Sequence, residues 1–233
     1  GGTQGIGASI AAELAARGLD LLLVARGPAG LAASAESLHT AFGVQVRTVA
    51  ADLSASSAAD AVQQAAAGLE VGLLVLNAAA SYSGPFLRST EAQSLGIVDT
   101  NCRTPLALVH RFAPPMAERR RGGLLVMSSM AGFQGSPLVT AYAASKAFLI
   151  SLGEALDPAS VTSESVVMTS SFGPVSGIAA SILRTAASAV SAAGATGREP
   201  SGPGVVPLTS PPAPAPPGRS RRCTKPHAHG GAG

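Results

Sequence analysis

Short apolar runs alternate with longer segments of helical periodicity along most of this chain. Most residues in these runs are aliphatic, which is typical of strands buried on both faces of a sheet. The runs occupy residues 19–25, 44–49, 71–76 and 123–127, with a further candidate at 165–169. Helices are predicted over residues 8–18, 28–42, 54–68, 86–98 and 99–121, in a segment that ends at Leu156, and at 177–193. This order predicts an α/β fold, a doubly wound parallel sheet with helices on both faces.

Proline and arginine mark the end of the helical stretch 99–121. Pro105 and the pair 114–115 are expected to interrupt it, because proline has no backbone N–H to donate. Three consecutive arginines, residues 119–121, follow at its C-terminal end. We interpret them as a solvated helix cap, because cations stabilise the negative end of the helix dipole.

A glycine-rich turn opens the sequence, with Gly1, Gly5 and Gly7 ahead of the first predicted helix. Glycines in such a turn let the backbone approach a ligand, and the helix N-terminus behind them favours a pyrophosphate. A plain glycine turn is the alternative. No strand pattern precedes Gly1, so we expect a sheet without its first, central strand. Either the sequence begins inside a longer gene or the protein lacks that strand.

Arg26 ends the first apolar run, at a position that distinguishes two cofactors in dinucleotide-binding folds. An acidic residue there binds the ribose 2′-hydroxyl of NAD, whereas an arginine pairs with the 2′-phosphate of NADP. Arg26 therefore favours NADP over NAD. The alternative is a solvated arginine after a strand.

Polar side chains are predicted to converge beyond the run 123–127. Ser128 and Ser129 follow that run, and Tyr142 and Lys146 lie four residues apart in the next helix. Four residues are about one helical turn, so the phenol and the ammonium should project from the same face. Together with a serine hydroxyl they suit proton transfer to a carbonyl oxygen beside a hydride donor.

The basic charge of the chain is confined to its C-terminal part. Residues 1–197 contain 11 lysines and arginines against 12 acidic residues, whereas residues 198–233 contain five against one and hold 9 of the 17 prolines. We predict a folded domain over residues 1–193 and a disordered Pro/Gly/Arg-rich tail over residues 194–233, because that tail buries too little apolar surface to become ordered. Nucleic acid is not an expected partner, because the domain itself carries no basic excess.

The two cysteines, Cys102 and Cys223, have neither a metal-binding spacing nor the number needed for a disulfide framework. No metal site is therefore predicted. No apolar stretch reaches the length of about 18 residues that a membrane-spanning helix requires, and the sequence opens on no signal peptide. A reducing, cytoplasmic setting is the expectation.

Taken in order, the motifs resemble those of the classical short-chain dehydrogenase/reductase family. The matching positions are the glycine turn, Asp52, Asn77-Ala78, Asn101, Ser129 and Tyr142-x-x-x-Lys146. The resemblance covers residues 1–156 and thins out towards Val175. It implies a Rossmann-like, NAD(P)-binding domain with cofactor contacts from the glycine turn and from residues that follow the strands. The implied contacts are Gly1, Gly5, Ile6, Gly7, Arg26, Asp52, Leu53, Asn77, Ala78, Tyr142, Lys146, Gly173 and Val175.

The same resemblance implies roles for four catalytic residues. Tyr142 would be the acid in carbonyl reduction and the base in alcohol oxidation. Lys146 would supply the positive charge that favours the phenolate, and would hold the nicotinamide ribose. Ser129 would hydrogen-bond the substrate oxygen. Asn101 would interrupt its helix and hold a water that leads to Lys146.

Two functions are therefore carried forward as hypotheses. The first is an NADP(H)-dependent oxidoreductase, of carbonyl reductase or alcohol dehydrogenase type, that acts on a ketone, an aldehyde or a secondary alcohol. The alternative is an inactive remnant that only binds nucleotide or dimerises. The resemblance also makes a homodimer or homotetramer plausible. Four apolar residues would then lie either at the interface or inside the fold: Ala107, Val109, Phe148 and Leu152.

Overall fold

The computed structural model describes residues 1–156 and the strand at residues 166–168. The α-helices in that part of the chain are α1 (Gly5–Ala16), α2 (Pro28–Phe42), α3 (Ala58–Ala65), α4 (Glu91–Val98), α5 (Thr104–Glu118) and α6 (Thr140–Ala155). The strands are β1 (Leu21–Ala25), β2 (Val46–Ala50), β3 (Leu73–Leu76), β4 (Gly123–Met127) and β5 (Val166–Met168). A π-helical turn (Asp99–Arg103) joins α4 to α5, and single 3-10 turns lie at Phe86–Arg88 and Met130–Gly132.

The described strands form two parallel sheets. In the first, β1 pairs with β2, with Ala25 opposite Ala50 at the carboxyl ends. In the second, the order is β3-β4-β5, with Leu73 opposite Gly123 and Leu125 opposite Val166. Parallel neighbours need a crossover connection, and helices supply it here. The α/β class predicted from the sequence is confirmed.

An apolar cavity of about 710 Å³ lies between β1 and β3. Its walls include Leu22 of β1, Leu74 of β3 and Leu14 of α1. No strand of the described part of the chain pairs with the facing edges of β1 and β3. The strands of the described residues therefore form two separate sheets.

Helices cover both faces of β4, and all five of its residues are buried. Leu124 and Val126 belong to the apolar cluster that includes α5 and α6. Leu125 and Met127 belong instead to the cluster with α1. Successive residues of a strand point to opposite faces, so this division follows directly from the apolar run. The carboxyl end of β4 thereby becomes a rigid support for the residues that follow it.

Several predicted helices have different ends in the structure. Helix α2 has the predicted bounds, but α3 spans only eight residues of the predicted stretch 54–68. The stretch 86–98 divides into a 3-10 turn and α4. Thr90 causes this division: its hydroxyl accepts a hydrogen bond of 3.2 Å from the Gln93 amide, and the Gln93 side chain accepts one of 2.9 Å from the Thr90 amide. This reciprocal capping box starts a new helix at Glu91.

The prediction that proline interrupts the stretch 99–121 was wrong. Pro105 lies in the first turn of α5, where its missing N–H costs nothing. The pair 114–115 lies inside α5 on its exposed side, where water can bind the carbonyl groups that lose their helical partners. Helix α5 therefore continues through both prolines to Glu118.

The interpretation of the arginine run as a solvated cap agrees with the exposed positions of Arg120 and Arg121, but it was wrong for Arg119. Arg119 is half-buried, and its guanidinium donates to the carbonyl oxygen of Val71. Arg119 and Arg121 both lie near the carboxylate of Glu70, at 3.8 and 3.9 Å. These contacts fasten the end of α5 to the segment that enters β3.

Of the four apolar residues considered for an oligomer interface, Val109 is buried in the core of the protein. Ala107, Phe148 and Leu152 are partly buried and pack against the same cluster. None of the helices in the described ranges is long and apolar enough to cross a membrane. The predicted domain end at residue 193, the tail and Cys223 lie outside the described residues.

Candidate active site

The glycine turn lies where β1, β3 and α1 meet. The amino group of Gly1 donates to the carbonyl oxygen of Val24 at 2.5 Å, and the side-chain amide of Asn77 donates to the carbonyl oxygen of Gly1 at 3.1 Å. Gly5 begins α1 with a φ of 54°, a conformation that favours glycine. The turn therefore holds the N-terminus of α1 at the carboxyl ends of the strands, where its N–H groups and dipole attract an anion.

Gly7 leaves no room for a side chain. A Cβ atom at this position would lie 1.8 Å from the carbonyl oxygen of Gly1 and 2.6 Å from Nδ2 of Asn77. At Gly1, a Cβ atom would lie 3.1 Å from the Cα atom of Ala78. These close approaches require glycine and make a turn that fits a dinucleotide pyrophosphate. Ile6 is partly buried and packs against the apolar cluster of α1 and β4, and its contact with a cofactor stays a prediction.

Arg26 and Asp52 follow the paired ends of β1 and β2. The carboxylate of Asp52 accepts hydrogen bonds from the amide and the hydroxyl of Ser54, at 3.0 and 2.8 Å. These bonds, with a smaller contribution from the charge of Arg26, lower the pKa of Asp52. Next in the chain, the carbonyl oxygen of Leu53 accepts a bond of 2.8 Å from Thr104 of α5. The Arg26 side chain is exposed, and its contact with a 2′-phosphate stays a prediction.

The two serines after β4 have different surroundings. The hydroxyl of Ser128 donates to the carbonyl oxygen of Lys146 at 2.8 Å and so joins β4 to α6. The hydroxyl of Ser129 accepts a bond of 3.3 Å from the amide of Ala131 in the following 3-10 turn. Ser128 is thus part of the strand–helix packing, while Ser129 opens the turn that leads towards α6. The substrate-binding role of Ser129 stays a prediction.

Tyr142 and Lys146 lie on the same face of α6. The Nζ atom of Lys146 lies 5.6 Å from the centre of the Tyr142 ring and donates to the carbonyl oxygen of Met127 at 2.8 Å. Lys146 is only 3% exposed, and burial lowers its pKa to about 8. Tyr142 is half-buried. The structure therefore brings the Tyr142 phenol and the Lys146 ammonium together beside the carboxyl end of β4.

Asn101 lies in the π-helical turn between α4 and α5 and is fully buried. Its Oδ1 atom accepts a bond of 2.7 Å from the amide of Ala80, and its Nδ2 atom donates to the carbonyl oxygen of Ala80 at 2.9 Å. The second Nδ2 proton is donated to the hydroxyl of Ser145, also at 2.9 Å. Both donors of the Asn101 side chain are therefore used within the protein. The water that the sequence assigns to Asn101 stays a prediction.

Two residues near this site were missed by the sequence argument. Ser145, the residue directly before Lys146, accepts a hydrogen bond from the Asn101 side chain. Gly132 allows the 3-10 turn to approach α6, because a Cβ atom there would lie 2.8 Å from the carbonyl carbon of Lys146 and 2.9 Å from the amide of Ala147. The position of Ser145 inside the Tyr-x-x-x-Lys motif was a usable signal. No comparable signal marked Gly132.

The remaining predicted site residues fall outside the described part of the chain: Gly173 and Val175. Cys102 is half-buried, with its Sγ atom 3.9 Å from the carbonyl oxygen of Ser145, and burial raises the pKa of the thiol. Among the described residues, no cluster of histidine, cysteine or acidic side chains could hold a metal ion.

This site combines a parallel α/β fold, a glycine turn at the strand ends and a tyrosine beside a lysine. That combination is typical of nucleotide-dependent oxidoreductases. The family model described as short chain dehydrogenase matches residues 1–182. The chain belongs to the short-chain dehydrogenase family.

Named relatives and solved structures agree with this assignment. The very-long-chain 3-oxoacyl-CoA reductase of Aspergillus clavatus is 36% identical over 174 residues, which are 71% of this chain and 50% of that protein. The chain thus spans about half the length of the reductases of this name that it matches. A short-chain dehydrogenase from Sphingobium yanoikuyae in complex with NADPH is 29% identical with a TM-score of 0.67, covering 73% of this chain and 69% of that one. A metagenomic short-chain oxidoreductase in complex with NADP is 28% identical with a TM-score of 0.71, covering 80% and 87%.

Proposed function

We propose that this chain carries the cofactor-binding and catalytic residues of an NADPH-dependent reductase that converts a ketone into a secondary alcohol. The observation that carries this proposal is the placement of the Lys146 ammonium 5.6 Å from the centre of the Tyr142 ring, against the end of β4. Ketone, NADPH and one proton give alcohol and NADP⁺. The proton must come from a group near the carbonyl oxygen, and Tyr142 is that group.

Tyr142 and Lys146 of α6 and Ser129, which follows β4, have separate roles in the proton transfer. The Tyr142 hydroxyl donates its proton to the carbonyl oxygen as negative charge develops there. The positive charge of Lys146 stabilises the phenolate that remains. The hydroxyl of Ser129 hydrogen-bonds the same oxygen and orients the carbonyl group. NADPH, when bound, supplies the hydride.

Cofactor binding rests on the turn at Gly1–Gly7, and the preference for NADPH rests on Arg26. The turn fits a pyrophosphate because Gly7 admits no Cβ atom and the N-terminus of α1 lies behind it. Arg26 follows β1 as an exposed guanidinium, and an arginine can pair with a 2′-phosphate through two parallel hydrogen bonds. The two structurally similar proteins with bound NADPH and NADP support this preference.

The substrate we propose is a 3-oxoacyl thioester with a long apolar chain. The name of the similar reductase from Aspergillus clavatus supports this class of substrate. The segment after Ser129 supports it independently. Met130 is 51% exposed, Phe133 is 61% exposed and Leu138 is 56% exposed. A surface of this kind, next to the serine that orients the carbonyl group, suits an alkyl chain.

An assay of NADPH oxidation with a series of 3-oxoacyl-CoA substrates of increasing chain length tests the proposal. We expect kcat/KM to rise with chain length, because each buried methylene adds about 0.8 kcal/mol of binding free energy. Phe133→Ser should reduce kcat/KM for the long substrates more than for the short ones. Phe42→Ser, an exposed phenylalanine at the end of α2, is the matched control.

Three results would contradict parts of this account. A chain that binds NADPH but oxidises it with no carbonyl compound would support the alternative of a nucleotide-binding remnant. Equal kcat/KM for short and long chains would overturn the substrate class but leave the reductase chemistry intact. Equal effects of Phe133→Ser and Phe42→Ser would remove the segment after Ser129 from the substrate site.

A further inference from the structure

A continuous chain of hydrogen bonds runs from Ala80, in the segment after β3, through the π-helical turn to the face of α6 that carries Tyr142 and Lys146. Ala80 exchanges two bonds with the side chain of Asn101, at 2.7 and 2.9 Å. Asn101 then donates to the hydroxyl of Ser145 at 2.9 Å, and this hydroxyl donates to the carbonyl oxygen of Tyr142 at 2.8 Å. Every side-chain proton along this path has an acceptor. The donors and acceptors of this hydrogen-bond chain are therefore fixed in a single arrangement.

Ser145 is the member that touches the catalytic turn of α6. It is 3% exposed, it directly precedes Lys146, and it binds the backbone of Tyr142 one turn earlier. Its own carbonyl oxygen lies 3.9 Å from the Sγ atom of Cys102 in the π-helical turn. Ser128, which follows β4, donates to the carbonyl oxygen of Lys146. The turn from Tyr142 to Lys146 is therefore bonded both to the π-helical turn and to the end of β4.

We propose that Ser145 is a positioning residue, which ties the π-helical turn to this turn of α6 and so fixes the phenol and the ammonium relative to the end of β4. The inference rests on the proposed function of Tyr142 and Lys146. A serine that only filled space would need no partner on Asn101. A hydroxyl bonded to a helix carbonyl can also bend the helix locally, so its loss should change the direction of the side chains that follow.

The test compares Ser145→Ala with Ser151→Ala, an exposed serine further along the same helix. We expect Ser145→Ala to lower kcat by about 10- to 100-fold with little change in KM, since misplacing reacting groups by about 1 Å costs rates of this order. Ser145→Thr retains the hydroxyl and should restore part of the rate. Ser145→Cys keeps nearly the same volume but bonds weakly, so it should fall between wild type and Ser145→Ala. Ser151→Ala should match wild type.

A second readout does not depend on activity. The chain contains two lysines, Lys146 and Lys225, so protein labelled with ¹³C-lysine gives two side-chain signals, and Lys225→Arg assigns them. In wild type the Lys146 signal should titrate with a pKa of about 8. In Ser145→Ala the pKa of Lys146 should move back towards its ordinary value, because a less constrained turn lets the ammonium reach water.

The outcomes separate this inference from the proposed function. If wild type reduces no carbonyl compound, the proposed function fails, and a shifted Lys146 titration still supports the positioning role. An unchanged kcat and an unchanged Lys146 titration in folded Ser145→Ala would overturn that role, even if the melting temperature fell. If Ser145→Ala does not fold, Ser145→Cys decides, and wild-type kcat and titration in that variant would overturn the inference.

Discussion

The Nζ atom of Lys146 donates a 2.8 Å hydrogen bond to the carbonyl oxygen of Met127, the last residue of β4. A cation is thereby held at the carboxyl end of a fully buried strand. Parallel strands in such folds place ligands beyond their carboxyl ends, so the charge lies beside the expected substrate and cofactor. The bond replaces only part of the hydration that an exposed ammonium would have, which is why burial lowers the pKa of Lys146.

This lowered pKa predicts a pH dependence of stability. Lys146 loses its proton near pH 8 in the folded protein but near its ordinary pKa of 10.5 in the unfolded chain. The unfolded chain therefore binds more protons between these values, and stability must rise with pH there. We expect the free energy of unfolding to gain about 1 kcal/mol between about pH 7.5 and about pH 9.

Urea denaturation at these two pH values measures the gain. The Cys102 thiol, whose pKa burial raises, contributes in the opposite direction, so both proteins should carry Cys102→Ser. Lys146→Met in that background should show a smaller gain, because the methionine side chain does not titrate, whereas the Gly1 amino group, whose pKa burial lowers, contributes equally to both proteins. Equal gains with and without Lys146 would show that another group is responsible.

Gly7 should be intolerant of any side chain. Gly7→Ala places a Cβ atom 1.8 Å from the carbonyl oxygen of Gly1, so the turn must open and NADPH binding should be lost, with a stability cost of about 1–3 kcal/mol. Gly30→Ala is the matched control, because no atom lies within 4 Å of its added Cβ inside α2. That variant should be neutral or more stable by about 0.5–1 kcal/mol. Isothermal titration with NADPH and thermal melting measure both effects, and normal NADPH affinity in Gly7→Ala would refute the assigned turn.

Arg26 should determine the preference between NADPH and NADH. Arg26→Asp removes the partner of a 2′-phosphate and adds a charge that repels it, so the NADPH/NADH ratio of kcat/KM should fall. Hydrogen bonds to charged groups contribute about 1.5–3 kcal/mol, which corresponds to a change of about 10- to 100-fold. Arg47→Asp, an exposed arginine on β2 whose side chain contacts the carbonyl oxygen of Ala67, should leave the ratio unchanged. The same ratio in both variants would make Arg26 an ordinary surface residue.

The sequence predicted those features that depend on neighbouring residues. Tyr142 and Lys146 share a face because four residues are one helical turn, and the glycine turn precedes a helix for similarly local reasons. The alternation of strands and helices along the chain also followed from the apolar pattern, and the uninterrupted apolar run of β4 is buried on both faces.

The features that the sequence argument missed depend on residues far apart in the chain. Ser145 meets Asn101 across 44 residues, and Arg119 meets Val71 across 48. Neither pairing has a local pattern. The prolines of α5 misled the prediction because a helix tolerates proline better where water can bind the carbonyl group that loses its partner, and the exposure of this pair appears only in the folded protein.

The central claim is that the Tyr142 hydroxyl gives its proton to the carbonyl oxygen. The most direct measurement is the single-turnover rate of NADPH oxidation with a long-chain 3-oxoacyl-CoA, in wild type, Tyr142→Phe and Tyr82→Phe. Tyr82 is the only other tyrosine in the chain and therefore the matched control. We predict that Tyr142→Phe is slower by about 10²- to 10⁴-fold at unchanged NADPH affinity, while Tyr82→Phe matches wild type. A Tyr142→Phe rate equal to that of wild type would contradict the account.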